Sequence, residues 1–457
     1  MKNRFSVILA AGQGTRMKSK LYKVLHPILG KPMIEYVLEA LQAIKTDRMV
    51  TVVGHGAEKV KETVGNRSDF VLQEEQLGTA HAVMQAEALL GGKQGTTLVV
   101  CGDTPLITEE TFEQLFSFHE KEEAKATILT TKVENPTGYG RIIRNESGDV
   151  ERIVEEKDAT KAEKQVKEIN TGTYCFDNEL LFQALKQVNN NNAQGEYYLP
   201  DVIEILQKQG EKIAAFVTED NEETIGINDR LALAEAEKIM KHRINERHIL
   251  NGVTMIDPDH TYIGPDVTLE QDVTIYPGTM ILGKSHIKRG AIIGPHSDLN
   301  DTVVGEDSSV RQSTINSSKI GDNVNVGPYA HIRPESNVGN NVRIGNFVEI
   351  KKSEIADDAK IPHLSYIGDA KIGERVNIGS GTITVNYDGK NKHETIIGDD
   401  SFIGCNANLV APVTIEPGAY VAAGSTITKD VPHDALAIGR ARQENKENYV
   451  QRLLNRK

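Results

Sequence analysis

The chain has 457 residues, too many for one hydrophobic core, so two or more domains are expected. Apolar residues at 39% and charged residues at 26% exclude an intrinsically disordered chain. The balance of 52 basic against 65 acidic residues, a net charge of −13, argues against nucleic acid or an anionic membrane as the main partner. With 39 glycines, 5% aromatic residues and no Trp, some part of the chain must bury surface without large rings. Cys101, Cys175 and Cys405 show no metal-ligand spacing and cannot all pair, which fits a reducing compartment.

Lys2 and Arg4 precede the apolar run Phe5–Ala11, a pattern open to misreading as a signal peptide. Ser6 breaks that run and a Gly-rich turn with Arg16 and Lys18 follows it, so it reads as a buried first strand. No stretch approaches the roughly 18 apolar residues of a membrane span, so the protein is expected to be cytoplasmic and not an integral membrane protein. Ser6-Val7-Ile8-Leu9, Met49-Val50-Thr51-Val52-Val53 and Thr97-Leu98-Val99-Val100 alternate with helical stretches, the pattern of βαβ units and a mostly parallel, Rossmann-like sheet over residues 1–230. Leu231–Leu250 contains no Gly or Pro, and Glu237 and Lys241 are spaced as an i,i+4 pair. Residues 231–251 therefore form a helical linker.

From residue 252 to 457 the period becomes six. Ile263, Leu269 and Ile275 begin it, with Val267, Val273 and Thr279 in the fifth slot. After a phase break it resumes at Ile320, Val326, Ile332, Val338, Ile344 and Ile350. It then runs through Ile355, Ile361, Ile367, Ile372 and Ile378, and ends at Ile397, Ile403, Leu409, Ile415, Val421 and Ile427. An aliphatic residue, often followed by Gly, with a small or β-branched residue in the fifth slot is the hexapeptide signature of a parallel β-helix, expected to be left-handed. The register lapses across Thr384–Lys392. That excursion reads equally as a functional loop or as decoration.

In the first domain, Leu9-Ala10-Ala11-Gly12-Gln13-Gly14-Thr15-Arg16-Met17 follows the first strand, with Lys23 shortly after. Glycines let backbone N–H groups approach phosphate oxygens, and the two cations can neutralise a polyphosphate. The string is neither a Walker loop nor Gly-x-Gly-x-x-Gly. It resembles the signature of sugar-phosphate nucleotidyltransferases, with Tyr22 where that family usually has Pro. Asp103 ends the run Val99–Asp103 at the crevice where α/β sheets bind ligands, or else caps a helix before Pro105. Gln73 and Gln76, beside Gly78 and Thr79, offer amides that can read a uracil edge; otherwise they are solvated helix-end residues.

In the repeats, Arg333 and Lys351 each follow an inward aliphatic residue, Ile332 and Ile350, and lie three hexapeptides apart. They should stack on one corner at about 4.8 Å, which favours an anion such as a substrate phosphate between or over them. His363, in Ile361-Pro362-His363-Leu364-Ser365-Tyr366, occupies neither core slot, so it points outward and can accept a proton from an amine. It counts to a different corner from the two cations, so trimeric packing of such helices, bringing one chain's histidine near another's cations, is expected.

Together, the first-domain loop, Asn170-Thr171-Gly172, the His363 segment, Asn386-Tyr387-Asp388-Gly389 and Arg440 resemble the family of bifunctional N-acetylglucosamine-1-phosphate uridylyltransferase / glucosamine-1-phosphate N-acetyltransferase enzymes, and the resemblance spans the chain. It implies that Leu9, Ala10, Ala11, Gly12, Arg16, Lys23, Gln73, Gln76, Gly78, Thr79, Gly140, Glu155, Asn170, Tyr198 and Asn228 bind UTP and UDP-N-acetylglucosamine. It further implies that Asp103 and Asn228 hold Mg²⁺. In the β-helix it implies His363 as base, with Arg333, Lys351, Tyr366 and Asn377 on glucosamine 1-phosphate. Ser380, Asn386, Tyr387, Cys405, Ala423 and Arg440 would contact acetyl-CoA. Ser380 stands where Ala is common and Cys405 where Ser is common.

The resemblance implies a homotrimer feeding bacterial cell-wall synthesis. The nearest rival is a single-function sugar-1-phosphate nucleotidyltransferase with a regulatory β-helix, which leaves Arg333, Lys351, His363 and the 384–396 excursion without function. Retention of Arg16, Lys23, Asp103 and Asn228 together counts against a non-catalytic scaffold. The spacing of His331, His363 and His393 counts against a metal-dependent hydratase.

Overall fold

The computed structural model describes residues 3–54 and 56–455; Lys2 lies outside them. The chain divides into two compact units, Met1–Met240 and Lys241–Lys457, the division falling inside a helix that runs from Arg230 to Leu250.

The first unit is built on nine strands: β1 (Arg4–Ala10), β2 (Arg48–Val53), β3 (Asp69–Leu72), β4 (Thr96–Cys101), β5 (Ala126–Lys132), β6 (Gly140–Arg144), β7 (Val150–Val154), β8 (Glu168–Asp177) and β9 (Ile213–Val217). Seven of them pair in the order β9-β5-β8-β4-β1-β2-β3, while β6 joins β8 and β7 joins β6. Val7 packs into the core on one face and Ile8 into the core on the other, which is why Val7-Ile8-Leu9-Ala10 is a continuous apolar run instead of alternating with polar residues. The chain leaves β1 for β2 on one side and reaches β4 on the other, both parallel to it. That reversal opens a crevice at the carboxyl ends of β1 and β4.

The sheet is mixed where the sequence suggested mostly parallel. Strand β8 runs antiparallel to β4, β5 and β6, and β6 and β7 form a hairpin. The physical reason lies in residues 133–167, which contain no α-helix to serve as a parallel crossover. The register of β8 against β5 shifts between Asn170 and Tyr174, so Asn170-Thr171-Gly172 sits at a bulge, with Gly172 at φ +81°.

The second unit is a parallel β-helix. Its strands fall into three parallel sheets of eleven, ten and nine, each strand pairing with the third one along until the last pair, Tyr420–Val421 with Leu436–Ala437, as in the left-handed hexapeptide architecture. Ile275, Ile293, Val310, Val326, Ile344, Ile361, Ile378, Ile403 and Val421 fill the interior behind the eleven-stranded sheet. Buried fifth-slot hydroxyls bond across to the next coil: Ser308 Oγ donates to the Gly321 carbonyl at 2.8 Å and Thr302 Oγ1 to that of Ile315 at 3.1 Å. One corner turns through left-handed backbone at Asp307, Asn323, Asn341, Asp358 and Asp400, residue types that tolerate that region best after Gly.

The phase break read before Ile320 is absent from the fold. Ile281, Ile287, Ile293, Leu299, Val304, Val310 and Ile315 continue the buried row, and shortened corners after Leu299, Val310 and Ile315 account for the slip in the count. The later lapse is a true excursion: Ile372 pairs directly with Ile397, and residues 386–394 stand outside the coil, closed by an antiparallel bridge between Tyr387 and Lys392.

Candidate functional site

The crevice of the sheet is a cleft of about 270 Å³, and ten of the expected residues line it: Leu9, Ala10, Ala11, Gly12, Lys23, Gln73, Gln76, Gly78, Thr79 and Asp103. The Gly102 N–H extends the β1–β4 ladder by donating to the Leu9 carbonyl at 2.9 Å, which sets Asp103 beside the Gly12 loop. Gly12 has nothing within 4 Å of where a Cβ would stand, so the wall is open there. Gly14 is required for another reason. It sits at φ +63°, and a Cβ would lie 2.6 Å from the Cβ of Lys23.

The cations and the two expected metal donors form one cluster. Asn228 Oδ1 accepts from Arg16 Nη2 at 2.8 Å and from Lys23 Nζ at 2.7 Å, and Lys23 is also ion-paired with Asp103. Asp103 is not the helix cap: Thr108 caps the helix Glu109–Lys121, its side chain accepting from the Thr111 N–H. Gln73 and Gln76 are not solvated helix ends either. Gln73 is buried and donates from Nε2 to the Gly78 carbonyl at 3.1 Å, and Gln76 donates to the Gln73 carbonyl at 3.2 Å, so both amides are fixed at the cleft wall.

A second group adjoins this one. A Cβ on Gly140 would meet Glu155 Oε1 at 3.1 Å and Asn170 Cβ at 3.4 Å, so these three expected residues converge where Gly140 pairs with Asn170 across β6 and β8. Asn170 Nδ2 donates to the Tyr174 hydroxyl at 2.7 Å. Burial, with Asp158 and Asp201, raises the Glu155 carboxyl. Burial and the same carboxylates push the Tyr198 phenol up to about 12. The charge of Asp103 reaches Tyr139, whose phenol is raised mainly by burial, which ties this group to the cleft.

In the β-helix, coil repetition aligns the residues. Asn346, His363, Ser380, Cys405 and Ala423 each lie two residues past an inward aliphatic residue of the eleven-stranded sheet, so they form one row. His363 is exposed, and its Nδ1 donates to Asn346 Oδ1 at 3.0 Å, leaving Nε2 as the basic nitrogen. Arg440 Nη1 closes the row by donating to the Ala423 carbonyl at 2.7 Å. Asn377 faces outward on the same sheet, in register with Lys360.

Arg333 and Lys351 belong to the ten-stranded sheet and do stack one coil apart, as His331 pairs with Glu349 and Ile332 with Ile350. The stacked cations call for an anion between or over them. The chain supplies its own carboxylates, Glu349 at 2.9 Å from Arg333 and Asp369 at 3.5 Å from Lys351. Asn386 Nδ2 bonds Asp369 at 2.5 Å and the Tyr366 hydroxyl at 3.4 Å, bringing the excursion onto this corner. It also brings Lys392, which sequence reasoning missed: Lys351 lowers the Lys392 ammonium below its usual range, while the contact with Lys392, together with Asp369, raises that of Lys351. Tyr387 is exposed, its hydroxyl bonded to the Gly389 carbonyl. His363 and the cation corner thus lie on different sheets of the chain.

A glycine-bearing cation loop at the switch point of an α/β sheet, followed by hexapeptide coils bearing an outward histidine, defines a two-site transferase. Residues 5–242 match the family described as Nucleotidyl transferase, residues 314–401 the GMPPB C-terminal domain and residues 394–429 the Bacterial transferase hexapeptide (six repeats). Proteins named "Bifunctional protein GlmU" are similar along nearly the whole length. That of Oceanobacillus iheyensis is 64% identical over 98% of this chain and 99% of its own, that of Halalkalibacterium halodurans 62% over the same shares, and that of Listeria welshimeri 59% over 99% of both. The chain belongs to the bifunctional GlmU family.

Proposed function

We propose that this chain makes UDP-N-acetylglucosamine in two transfers, one in each unit. In the β-helix, the amine of glucosamine 1-phosphate attacks the thioester carbonyl of acetyl-CoA. The C–N bond forms, the C–S bond breaks, and CoA leaves as His363 Nε2 takes the amine proton. Asn346 holds the tautomer that makes this possible. Arg333, Lys351 and Lys392 receive the sugar phosphate, with Tyr366 and Asn377 on the sugar. Asn386, Tyr387, Ser380, Cys405, Ala423 and Arg440 line the acetyl-CoA path. Because His363 and the cation corner lie on different sheets, a homotrimer that sets one chain's histidine against another's cations completes the site.

In the sheet unit, a phosphate oxygen of N-acetylglucosamine 1-phosphate attacks the α-phosphorus of UTP, and pyrophosphate leaves. Positioning and charge carry this step, with no protein nucleophile. Arg16 and Lys23 bind the triphosphate, Gln73 and Gln76 the uracil edge, and Gly140, Glu155, Asn170 and Tyr198 the sugar. The carboxylate of Asp103 and the amide oxygen of Asn228 are hard donors drawn together by Lys23, a set that fits Mg²⁺ alongside phosphate oxygens. When bound, that ion would neutralise charge on the phosphates. Small-molecule substrates in a cytoplasmic setting complete the reading.

The observation that carries this reading is the coexistence, in one chain, of the Arg16–Lys23–Asn228 cluster and the Asn346–His363 pair at the head of an open coil row. The test supplies acetyl-CoA, glucosamine 1-phosphate, UTP and Mg²⁺ and scores free CoA and pyrophosphate separately. Both products are expected, with CoA first. Pyrophosphate release from glucosamine 1-phosphate at full rate without acetyl-CoA would overturn the order.

A further inference from the structure

Ile227, Asn228 and Arg230 bond to the cation cluster and to the loop that carries it. The Ile227 N–H donates to the Asp103 carbonyl at 3.0 Å, and Asn228 Oδ1 accepts from both Arg16 and Lys23. Asp229 Oδ1 caps the following helix, accepting from the N–H groups of Leu231 and Ala232 at 3.0 Å each. Arg230 reaches back to the loop: Nε donates to the Met17 carbonyl at 3.2 Å, and Nη1 lies 3.4 Å from His26 Nδ1.

These last two contacts fall on opposite arms of the loop. Met17 adjoins Arg16 and is buried, so its carbonyl is a fixed anchor. His26 follows Lys23 and is tied to it, its N–H donating to the Lys23 carbonyl at 3.2 Å. His26 is 3% exposed, and burial together with the Arg230 charge pushes its imidazole below the usual range. The neutral ring can accept at Nδ1, where a cation would repel the guanidinium. The planar fork of Arg230 thus spans the arm that carries Arg16 and the arm that carries Lys23, while Gly14 lets the arms approach.

We propose that Arg230 is a positioning residue for uridylyl transfer, pinching the two arms of the loop so that Arg16 and Lys23 meet the triphosphate together. It need not touch substrate; it acts through the Met17 carbonyl and His26. The inference rests on the reading of this cleft as the UTP site.

The experiment uses the full-length protein with Arg230→Met, Arg230→Lys and, to test that reading, Lys23→Ala. The methionine keeps bulk but removes both contacts, and the Asp229 cap stays in place. KM for UTP and kcat are measured separately for uridylyl transfer from N-acetylglucosamine 1-phosphate, with acetyl transfer by the same preparation as the control. Arg230→Met is expected to lower kcat/KM for UTP by about 10- to 100-fold, with KM raised, and to leave acetyl transfer within about twofold. Arg230→Lys, still able to reach one acceptor, is expected to recover part of that loss. Unchanged kinetics in Arg230→Met, or equal loss of both activities, would overturn the inference while a severe defect in Lys23→Ala left the UTP site standing. A fully active Lys23→Ala would overturn both.

Discussion

The groups around Lys23 come from the loop after β1, the segment after β3, Asp103 after β4 and Asn228 before the long helix, stretches separated by many tens of residues. In the β-helix, Asn346, His363, Ser380, Cys405 and Ala423 occupy one position of successive coils, so counting along the chain brings them into line. The cleft is made by long-range convergence and the row by repetition. Convergence lets one group answer several others, as Asn228 does for Arg16 and Lys23. Repetition sets an ordered line of side chains on an open surface, to which the excursion adds Asn386 and Lys392 and, by our reading, a second chain adds the rest.

Removing the histidine should separate the two regions most sharply. His363→Ala should lower acetyl transfer by roughly 10²–10⁴-fold and leave uridylyl transfer from pre-acetylated substrate intact. Loss of both in a folded variant would erase the distinction. Lys23→Ala is the mirror experiment, with uridylyl transfer down roughly 10²–10³-fold and acetyl transfer kept, each rate measured on one preparation.

Stability sharpens the contrast. Ile361 is fully buried in the coil carrying His363, so Ile361→Ala should cost about 2–5 kcal/mol there. Acetyl transfer should then fail on heating well before uridylyl transfer does; simultaneous failure would mean that the units unfold as one.

The smallest effect concerns Asp201, which burial, with Glu204 and Asp158, raises to about 6. The folded chain holds this proton more tightly than the unfolded chain, whose carboxyl titrates near 3.8. Stability is therefore undiminished at low pH and declines as pH rises through that window. Asp201→Asn should flatten the decline and add about 1 kcal/mol at pH 7, a value discounted for the partial exposure of the group. Urea midpoints at pH 4 to 7 read it directly.

The coil row was legible because a strand ladder converts sequence spacing into distance with little freedom. Once Ile332, Ile350, Ile361 and Ile378 are inward, the positions of Arg333, Lys351, His363 and Ser380 follow. The same count went astray before Ile320, where shortened corners mimic an interruption. It also could not show that Glu349 and Asp369 already neutralise the stacked cations, since a carboxylate one coil away reads like any other surface acid. In the sheet unit the glycine loop could be read from its local string. The antiparallel β8 could not, because the absence of a crossover helix between 133 and 167 carries no motif of its own.

Local and periodic features could be read from the residues alone: the first strand and its loop, the long helix, the inward aliphatics and the outward histidine. The partners emerged only on folding: Asn228 between Arg16 and Lys23, Asn346 on His363, Lys392 beside Lys351, and Arg230 across the two arms of the loop. Periodic burial is imposed by near neighbours and leaves its mark on every residue. A partner chosen across many tens of residues depends on how whole elements pack, and a single side chain carries no trace of that.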